Sequence, residues 1–489
     1  MLQNTLVKLA ALKEAHLIYE SNIITAVQLV SRTAEIIAQL RDAKNPLKSI
    51  AFYLPNSPEL ICWQLACFHL GIMIVPIIYE HEPAYVEKVL HLTAPSLLMT
   101  TSNKGNQLSQ MPCPVQMNDD RYDAVLTAKP ITNLPHSTVS AEQTAMIIFS
   151  SGSTGTLKGI MHSYQSAYEF IQLLAEVLDA GKNLVYLVAQ PMGHIGGITT
   201  TLLALLHDGQ AILLEQFNCE SYINAMARYQ PTHINLHTPL FYELLHLPDL
   251  DKRAFSRIQS CFAGGDDIPR QLPAQFTAKT GAPMRIGYGM TEIGIVIVNK
   301  NPYGLHAGSS GRTIPQAMVE LRDEHGKRVV QGEVGEIWVK SPACCKGYWQ
   351  MPDLNQRSFD NGWFRTGDLA SEDKEGYFWF KGRASQVIHS DNHIIYPQVI
   401  EQILFDCSAV KSAAVIAIND NLSNEIPVAF VELTHYHAHH EHVHDALMRI
   451  LASELAAWEM PRKLFILDKM PLNTTGKIDR IALKKLTGE

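Results

Sequence analysis

Charged side chains are scarce in this chain. They make up 18% of its 489 residues, against about a quarter in ordinary globular proteins, while apolar residues reach 46%. A chain with that balance can bury a core, so disorder is excluded. An excess of positive charge is also missing. The 40 Lys and Arg against 48 Asp and Glu leave a net charge of −8, which offers nucleic acid or anionic lipid no general attraction. Glycine (29) and proline (25) sit at ordinary levels, which excludes collagen-like and low-complexity classes. The eight cysteines, at 62, 67, 113, 219, 261, 344, 345 and 407, include no C-x-x-C pair and no zinc spacing, so they read as reduced, scattered thiols. Long apolar runs are missing as well. The most apolar stretch, Leu60 to Ile78, is interrupted by Gln64, His69, Gly71 and Pro76. It reads as a buried helix to about Leu70, a turn at Gly71 and a buried strand, not as a membrane span. Met1 to Ala15 reads as an amphipathic helix without the apolar core and cleavage site of an export signal, and cytoplasmic placement is the expectation.

What is present is alternation. Length alone suggests two or three units. Strands are expected at Ile50–Leu54, Ile72–Ile77, Ala145–Phe149, Leu184–Val188, Ala211–Leu214, His233–Leu236, Ser260–Ala263 and Met284–Ile286. Helical patterns such as Tyr164–Leu178 and Tyr222–Tyr229 lie between them, which predicts α/β layers with largely parallel sheet. From about Val319 the texture turns β-rich, at Ala317–Arg322, Gly335–Lys340 and Gly376–Phe380. After Gly382 come a helix (Gln398–Phe405), strands (Ala413–Ile418, Val428–Leu433) and a helix (Asp445–Trp458). These place a boundary near residue 384, dividing the chain into 1–383 and 384–489. No internal repeat is apparent. Six histidines between His435 and His444 form either a solvent-facing loop or a metal site without an acidic or cysteine framework.

Four short segments carry candidate chemistry. Phe149 to Gly159 (F-S-S-G-S-T-G-T-L-K-G) follows a buried strand and packs hydroxyls and glycines densely. Backbone N–H groups, hydroxyls and Lys158 there can wrap phosphate oxygens; the plainer reading is a turn. It does not fit the G-x-x-x-x-G-K-[ST] spacing. Gly287-Tyr-Gly-Met-Thr-Glu292 sets an aromatic, a hydroxyl and a carboxylate together after a strand. Tyr288 can stack on a purine, Thr291 donate to a phosphoryl oxygen and Glu292 hold Mg²⁺; alternatively this is a tight turn with a buried tyrosine. Trp363 to Asp368 offers a carboxylate for two ribose hydroxyls, or an exposed turn aspartate. Asn473 to Arg480 holds Lys477, by composition alone a solvated charge.

Together these stretches resemble the adenylate-forming superfamily of acyl- and aryl-CoA synthetases, peptide-synthetase adenylation domains and firefly-type luciferases. The resemblance runs over nearly the whole chain and extends to Leu54–Glu59, Pro191–Gly197, Ala263–Asp266, Gly332–Trp338 and Gly347-Tyr-Trp. It implies a large multi-layer amino-terminal α/β domain and a small mobile α+β carboxy-terminal domain. It also implies ATP, Mg²⁺ and CoA, or a phosphopantetheine carrier, as reaction partners. By position, Ser150, Ser151, Gly152, Ser153, Thr154, Gly155 and Lys158 match the pyrophosphate loop. Gly264, Gly265 and Asp266 match the segment along the adenine, and Tyr288, within Gly287, Gly289 and Met290, its stacking partner. Thr291 matches the α-phosphate donor, Glu292 the Mg²⁺ carboxylate, and Asp368 and Arg383 the ribose contacts. Lys477 matches the lysine bridging substrate carboxylate and α-phosphoryl group, His194 a gate beside that carboxylate, and Ser385 the hinge.

The match departs around the hinge. Ser385 stands where the family usually has Asp or Lys, His389 where it has Lys, Asn392 where it has Gly, and Val399 where it has an acidic residue; Leu157 replaces a usual Pro. The activating half-reaction therefore reads as intact, and the thiol-transfer half as altered. Met192 to Gly197 contains no acidic residue to pair an α-amine, so a fatty or aromatic acid is expected over an amino acid. The resulting expectation is an AMP-forming acid–thiol ligase. The alternatives are a stand-alone acyl-AMP ligase loading an acyl carrier protein, and a nucleotide-binding protein that has lost catalysis.

Overall fold

The computed structural model describes residues 1–42, 45–109, 111–130, 137–151, 157–236, 238–247, 250–265, 268–390, 393–407, 409–420, 424–434, 440–472 and 478–487. Among the described residues the strands form four sheets. The largest has nine strands, with a parallel centre (Met284–Met290, Ser260–Gly264, His233–Leu236, Val185–Val188, Gln210–Leu213, His16–Tyr19) and antiparallel edges. A second sheet of seven strands runs from Gly347–Tyr348 through Leu157–Ser163, Thr144–Ser151, Met73–Pro76, Ser49–Tyr53 and Leu97–Thr100 to Val115–Met117. The expected α/β layering is present, and it is mixed where the two candidate binding segments lie.

The stretch from Leu60 to Ile78 folds as read. Ser57 caps the helix Pro58–Leu70 by accepting Leu60 N–H, and proline occupies its first turn. The helix stops at Gly71, whose φ of +78° suits a residue without Cβ, and the strand Met73–Pro76 follows. From Pro58 to His69 every residue is buried, because the helix shares one core with Tyr164–Val177, Ile195–Leu206 and residues of both large sheets. Each fully buried Leu, Ile or Phe there contributes about 1.5–3 kcal/mol. The outer face of the nine-stranded sheet is covered by Cys219–Tyr229, Thr238–His246 and Leu272–Thr280.

Beyond Val319 the β-rich texture becomes an antiparallel sheet of Met318–Arg322, Val334–Lys340, Trp363–Glu372 and Phe359–Asp360, with Phe378–Arg383 paired to Trp363–Glu372. The last sheet holds His393–Ile395, Ile388–Ser390, Asn424–Leu433, Val410–Asp420 and Lys463–Leu467, and has a core of its own with the helices Pro397–Phe405 and His440–Glu454. The helix His440–Glu454 starts and ends earlier than the pattern Asp445–Trp458 suggested, and a further helix, Arg480–Leu486, follows it. Trp458 lies beyond Glu454, with its ring stacked on His393 at 4.5 Å. The amino-terminal segment is also shorter than read: Leu2–Asn4 and Thr5–Ala10 are helical, and the strand His16–Tyr19 follows.

Candidate active site

Gly287 to Met290 is not a turn after a strand. It continues the strand Met284–Met290, which pairs with Gly294–Asn299 in antiparallel register and bulges between Tyr288 and Gly289. A Cβ on Gly289 would lie 2.2 Å from the Gly294 carbonyl oxygen, so the crossing chain itself demands glycine there. On the other side, Gly287 is the register partner of Gly264 at the end of Ser260–Gly264, and Gly265 follows with φ +84°. The segments singled out around 264 and 288 are thus the carboxyl ends of two neighbouring parallel strands of the nine-stranded sheet, where open α/β sheets bind ligands.

Asp368 is likewise no exposed turn residue. It lies in the strand Trp363–Glu372, is only 3% exposed, and is the register partner of Arg383 on Phe378–Arg383. That cross-strand pairing brings Arg383 Nε to 2.7 Å from Asp368 Oδ1. The Tyr288 hydroxyl donates to Asp368 Oδ2 at 2.8 Å. Burial, then the neighbouring Asp368 carboxylate, push the Tyr288 hydroxyl well above its usual range, so it remains a donor. A carboxylate has about four lone-pair positions, so Asp368 can still accept from a diol while holding both partners.

Thr291 and Glu292 form the turn joining the two antiparallel strands. Glu292 is 7% exposed, and its Oε1 accepts the Tyr348 hydroxyl at 3.0 Å. Burial raises the Glu292 carboxyl above its ordinary value. Among the described residues no cation forms an ion pair with it. A buried carboxylate held by the Tyr348 hydroxyl and its own backbone N–H, with Arg383 and Lys158 acting on it only at longer range, suits a hard divalent cation such as Mg²⁺, which takes one or two carboxylates together with substrate phosphates. The Thr291 carbonyl accepts from His162 Nε2 at 2.8 Å, which puts the His162 proton on Nε2 and leaves Nδ1 facing Ser166 Oγ at 3.2 Å. Burial pushes the His162 pKa down to about 4.

Ser150 and Ser151 end one strand, and Lys158 is the second residue of its antiparallel partner Leu157–Ser163, opposite Ser150. The Lys158 ammonium lies 5.7 Å from the centre of the Tyr348 ring, whose hydroxyl holds Glu292. The candidate phosphate-loop and metal residues are therefore linked through one tyrosine. Gly152, Ser153, Thr154, Gly155, Asp266, Asn392 and Lys477 lie outside the described residues, as does the histidine run from 435 to 439. Among the described residues no group of three or more His, Cys, Asp or Glu side chains could hold a metal. His194 caps the helix Ile195–Leu206, its Nδ1 accepting Gly196 N–H at 3.0 Å, so its proton sits on Nε2. Ser385 is exposed, in the short helical turn Ala384–Gln386 directly after Arg383. Tyr348 and His162 were not singled out as site residues. Tyr348 had a signal in the Gly347-Tyr-Trp motif, whereas His162 had none beyond following the Ser/Gly loop.

The AMP-binding enzyme model matches residues 9–349, well over half of the chain, and the AMP-binding enzyme C-terminal domain model matches 399–477. The chain belongs to the AMP-binding enzyme family. A 2-succinylbenzoate–CoA ligase of Bacillus subtilis (strain 168) is 28% identical over 478 residues, covering 96% of this AMP-binding enzyme and 94% of that protein. A long-chain-fatty-acid–CoA ligase, FadD13, of Mycobacterium tuberculosis is 25% identical over 476 residues, 94% and 91% of the two chains. The solved o-succinylbenzoate CoA synthetase (MenE) from Bacillus subtilis, in complex with an acyl-adenylate intermediate, superposes with a TM-score of 0.84 at 26% identity over 98% of both chains. Among the described residues of this AMP-binding enzyme, no helix is long and apolar enough to cross a membrane.

Proposed function

We propose that this AMP-binding enzyme is an AMP-forming acid–thiol ligase that activates a fatty or aromatic carboxylic acid with ATP and passes the acyl group to CoA. The observation that carries the reading is the linkage of Tyr288, Asp368, Arg383, Glu292 and Lys158, from four strands of three sheets and a turn, by the Tyr288–Asp368–Arg383 and Glu292–Tyr348–Lys158 contacts. In the first half-reaction a carboxylate oxygen attacks the α-phosphorus of ATP, the bond to the β-phosphate oxygen breaks, and pyrophosphate leaves. In the second, the CoA sulfur attacks the acyl carbon of the adenylate and AMP leaves with the bonding electrons. No side-chain nucleophile is needed. The obstacle is repulsion between an anionic nucleophile and anionic phosphates, so placed positive charge and in-line orientation account for the rate.

Asp368 and Arg383 would hold the ribose, Tyr288 the base, and Gly264, Gly265 and Asp266 would run along its edge. Ser150 to Lys158 would cover the β- and γ-phosphates, and the Thr291 hydroxyl would donate to the α-phosphate. Glu292 would hold Mg²⁺, which supplies positive charge at the phosphate oxygens when bound. Lys477 would bridge the attacking carboxylate and the α-phosphate, and His194 would border the acyl group. The unit 1–383 carries the nucleotide site. The unit 384–489 would turn about Ser385 between the half-reactions. A cytoplasmic location agrees with a substrate set of ATP and CoA. The test is a panel of fatty and aromatic acids assayed for pyrophosphate release with ATP and Mg²⁺, then for AMP and a thioester after CoA is added. Turnover on a phosphopantetheinylated carrier protein but not on CoA would reassign the acceptor. Release with no acid in the panel would remove the proposed activity.

A further inference from the structure

Cys344 and Cys345 are adjacent in sequence, and neither takes part in the proposed reaction. Both are free thiols; Cys345 is buried and Cys344 half-buried. The neighbouring Cys344 thiol, then burial, hold the Cys345 thiol well above its ordinary range, so first attack on an oxidant falls to the half-buried Cys344. Their backbone is fastened directly to the turn that carries Glu292. Cys345 N–H donates to the Glu292 carbonyl at 2.7 Å, and Ser341 Oγ, at the start of the same loop, donates to the Ile293 carbonyl at 2.7 Å. Three residues on, Tyr348 holds the Glu292 carboxylate, while Lys346 N–H bonds to the Met161 carbonyl on the Lys158 strand.

We propose that Cys344 and Cys345 form a redox modification site, closed to a vicinal disulfide by a small-molecule disulfide oxidant such as oxidised glutathione, and that closure disables the Glu292 turn. The half-buried Cys344 attacks the oxidant as thiolate and expels one glutathione thiolate. Cys345 then attacks the mixed disulfide and expels the second. The two cysteines lose two protons and two electrons in total, and the oxidant leaves as two thiols. Geometry ties this closure to the site. Consecutive Cα atoms across a trans peptide lie about 3.8 Å apart, whereas disulfide-bonded cysteines have Cα atoms roughly 4.4–6.8 Å apart. The chain holds them at the shorter distance, so the eight-membered ring closes under strain with the Cys344–Cys345 peptide inside it, and turning that peptide plane takes Cys345 N–H away from the Glu292 carbonyl. A disulfide closed against strain has a high reduction potential, so thiols reopen it readily.

The experiment incubates the full-length protein with oxidised glutathione and reads two quantities. The first is the mass of the peptide carrying both cysteines, which should lose two hydrogens and carry no glutathione. The second is acid-dependent pyrophosphate release, which should fall about 10²-fold, the scale of a displaced catalytic group, and return with dithiothreitol. Cys344→Ser and Cys344→Ala, at the more exposed of the two positions, should release pyrophosphate at the untreated rate before and after oxidant. A glutathione adduct or a disulfide elsewhere in place of the 344–345 bridge overturns the proposal, as does full activity in the bridged protein or equal inactivation of both variants. The activity arm rests on the proposed reaction and the peptide mass does not, so failure of one is distinguishable from failure of the other.

Discussion

Asp368 is buried, yet it satisfies two partners from two other strands, a tyrosine hydroxyl and a guanidinium. Replacing it with asparagine keeps the shape and removes the charge that Arg383 faces. Asp368→Asn should raise KM for ATP about 10-fold or more, because a charge-assisted contact of this kind is worth about 1.5–3 kcal/mol, with a smaller change in the KM of the acid. Steady-state kinetics in each substrate checks this; equal changes in both would contradict it. Tyr348→Phe removes one hydrogen bond from Glu292 and keeps the ring beneath Lys158. Half-saturation by Mg²⁺ should shift by a few-fold, since a single such bond contributes about 1 kcal/mol. His162 gives a pH signature. Its folded pKa lies near 4 through burial, while the unfolded value is about 6.5. Between those values the unfolded chain binds the extra proton. Stability from this group is therefore complete above about pH 6.5 and is lost as pH falls toward about 4, costing about 2 kcal/mol by pH 5. Urea unfolding at pH 7 and pH 5 should show that loss in the wild type and a flatter response in His162→Gln.

At the scale of elements, legibility followed burial. The helix Pro58–Leu70 could be read because Ser57, Pro58 and Gly71 punctuate an apolar run. The strands at 50, 74, 146 and 187 were legible as short apolar runs. The strand Met284–Met290 was read only to Ile286, because Gly-Tyr-Gly has no apolar alternation and its β conformation comes from pairing with Gly294–Asn299, which local propensity does not encode. Asp368 was read as a possible turn residue for the same reason: its strand is defined by partners on 334–340 and 378–383. The candidate site residues were legible one by one through motifs. Their contacts were not, since Tyr288–Asp368 and Glu292–Tyr348 join residues 80 and 56 positions apart. Gly289→Ala tests the element directly. With its Cβ pressed on the Gly294 carbonyl, the variant should lose roughly 1–3 kcal/mol of stability and most of its pyrophosphate release, measured by denaturant melts and the acid assay.

At the scale of the whole molecule, the helix Pro397–Phe405 meets the segment after the 260–264 strand through side-chain amides. Gln402 accepts from Arg270 N–H at 3.3 Å and donates to the Ile268 carbonyl at 3.5 Å, and Gln271 donates to the Asp406 carbonyl at 3.0 Å. Such polar, partly exposed contacts are individually weak and exchange readily with water, which suits a surface that must part and reform. If rotation about Ser385 separates the half-reactions, Ser385→Pro should leave adenylate formation near the wild-type rate and slow thioester formation about 10-fold or more, because proline fixes φ at the proposed pivot. Single-turnover measurements of the two steps separate these rates. The most direct test of the account as a whole is acid-dependent exchange of labelled pyrophosphate into ATP, without CoA, by wild type and Lys477→Ala. The account predicts exchange in the wild type with a matching acid and a loss of about 10²–10³-fold in the variant. Equal exchange by both proteins would contradict it.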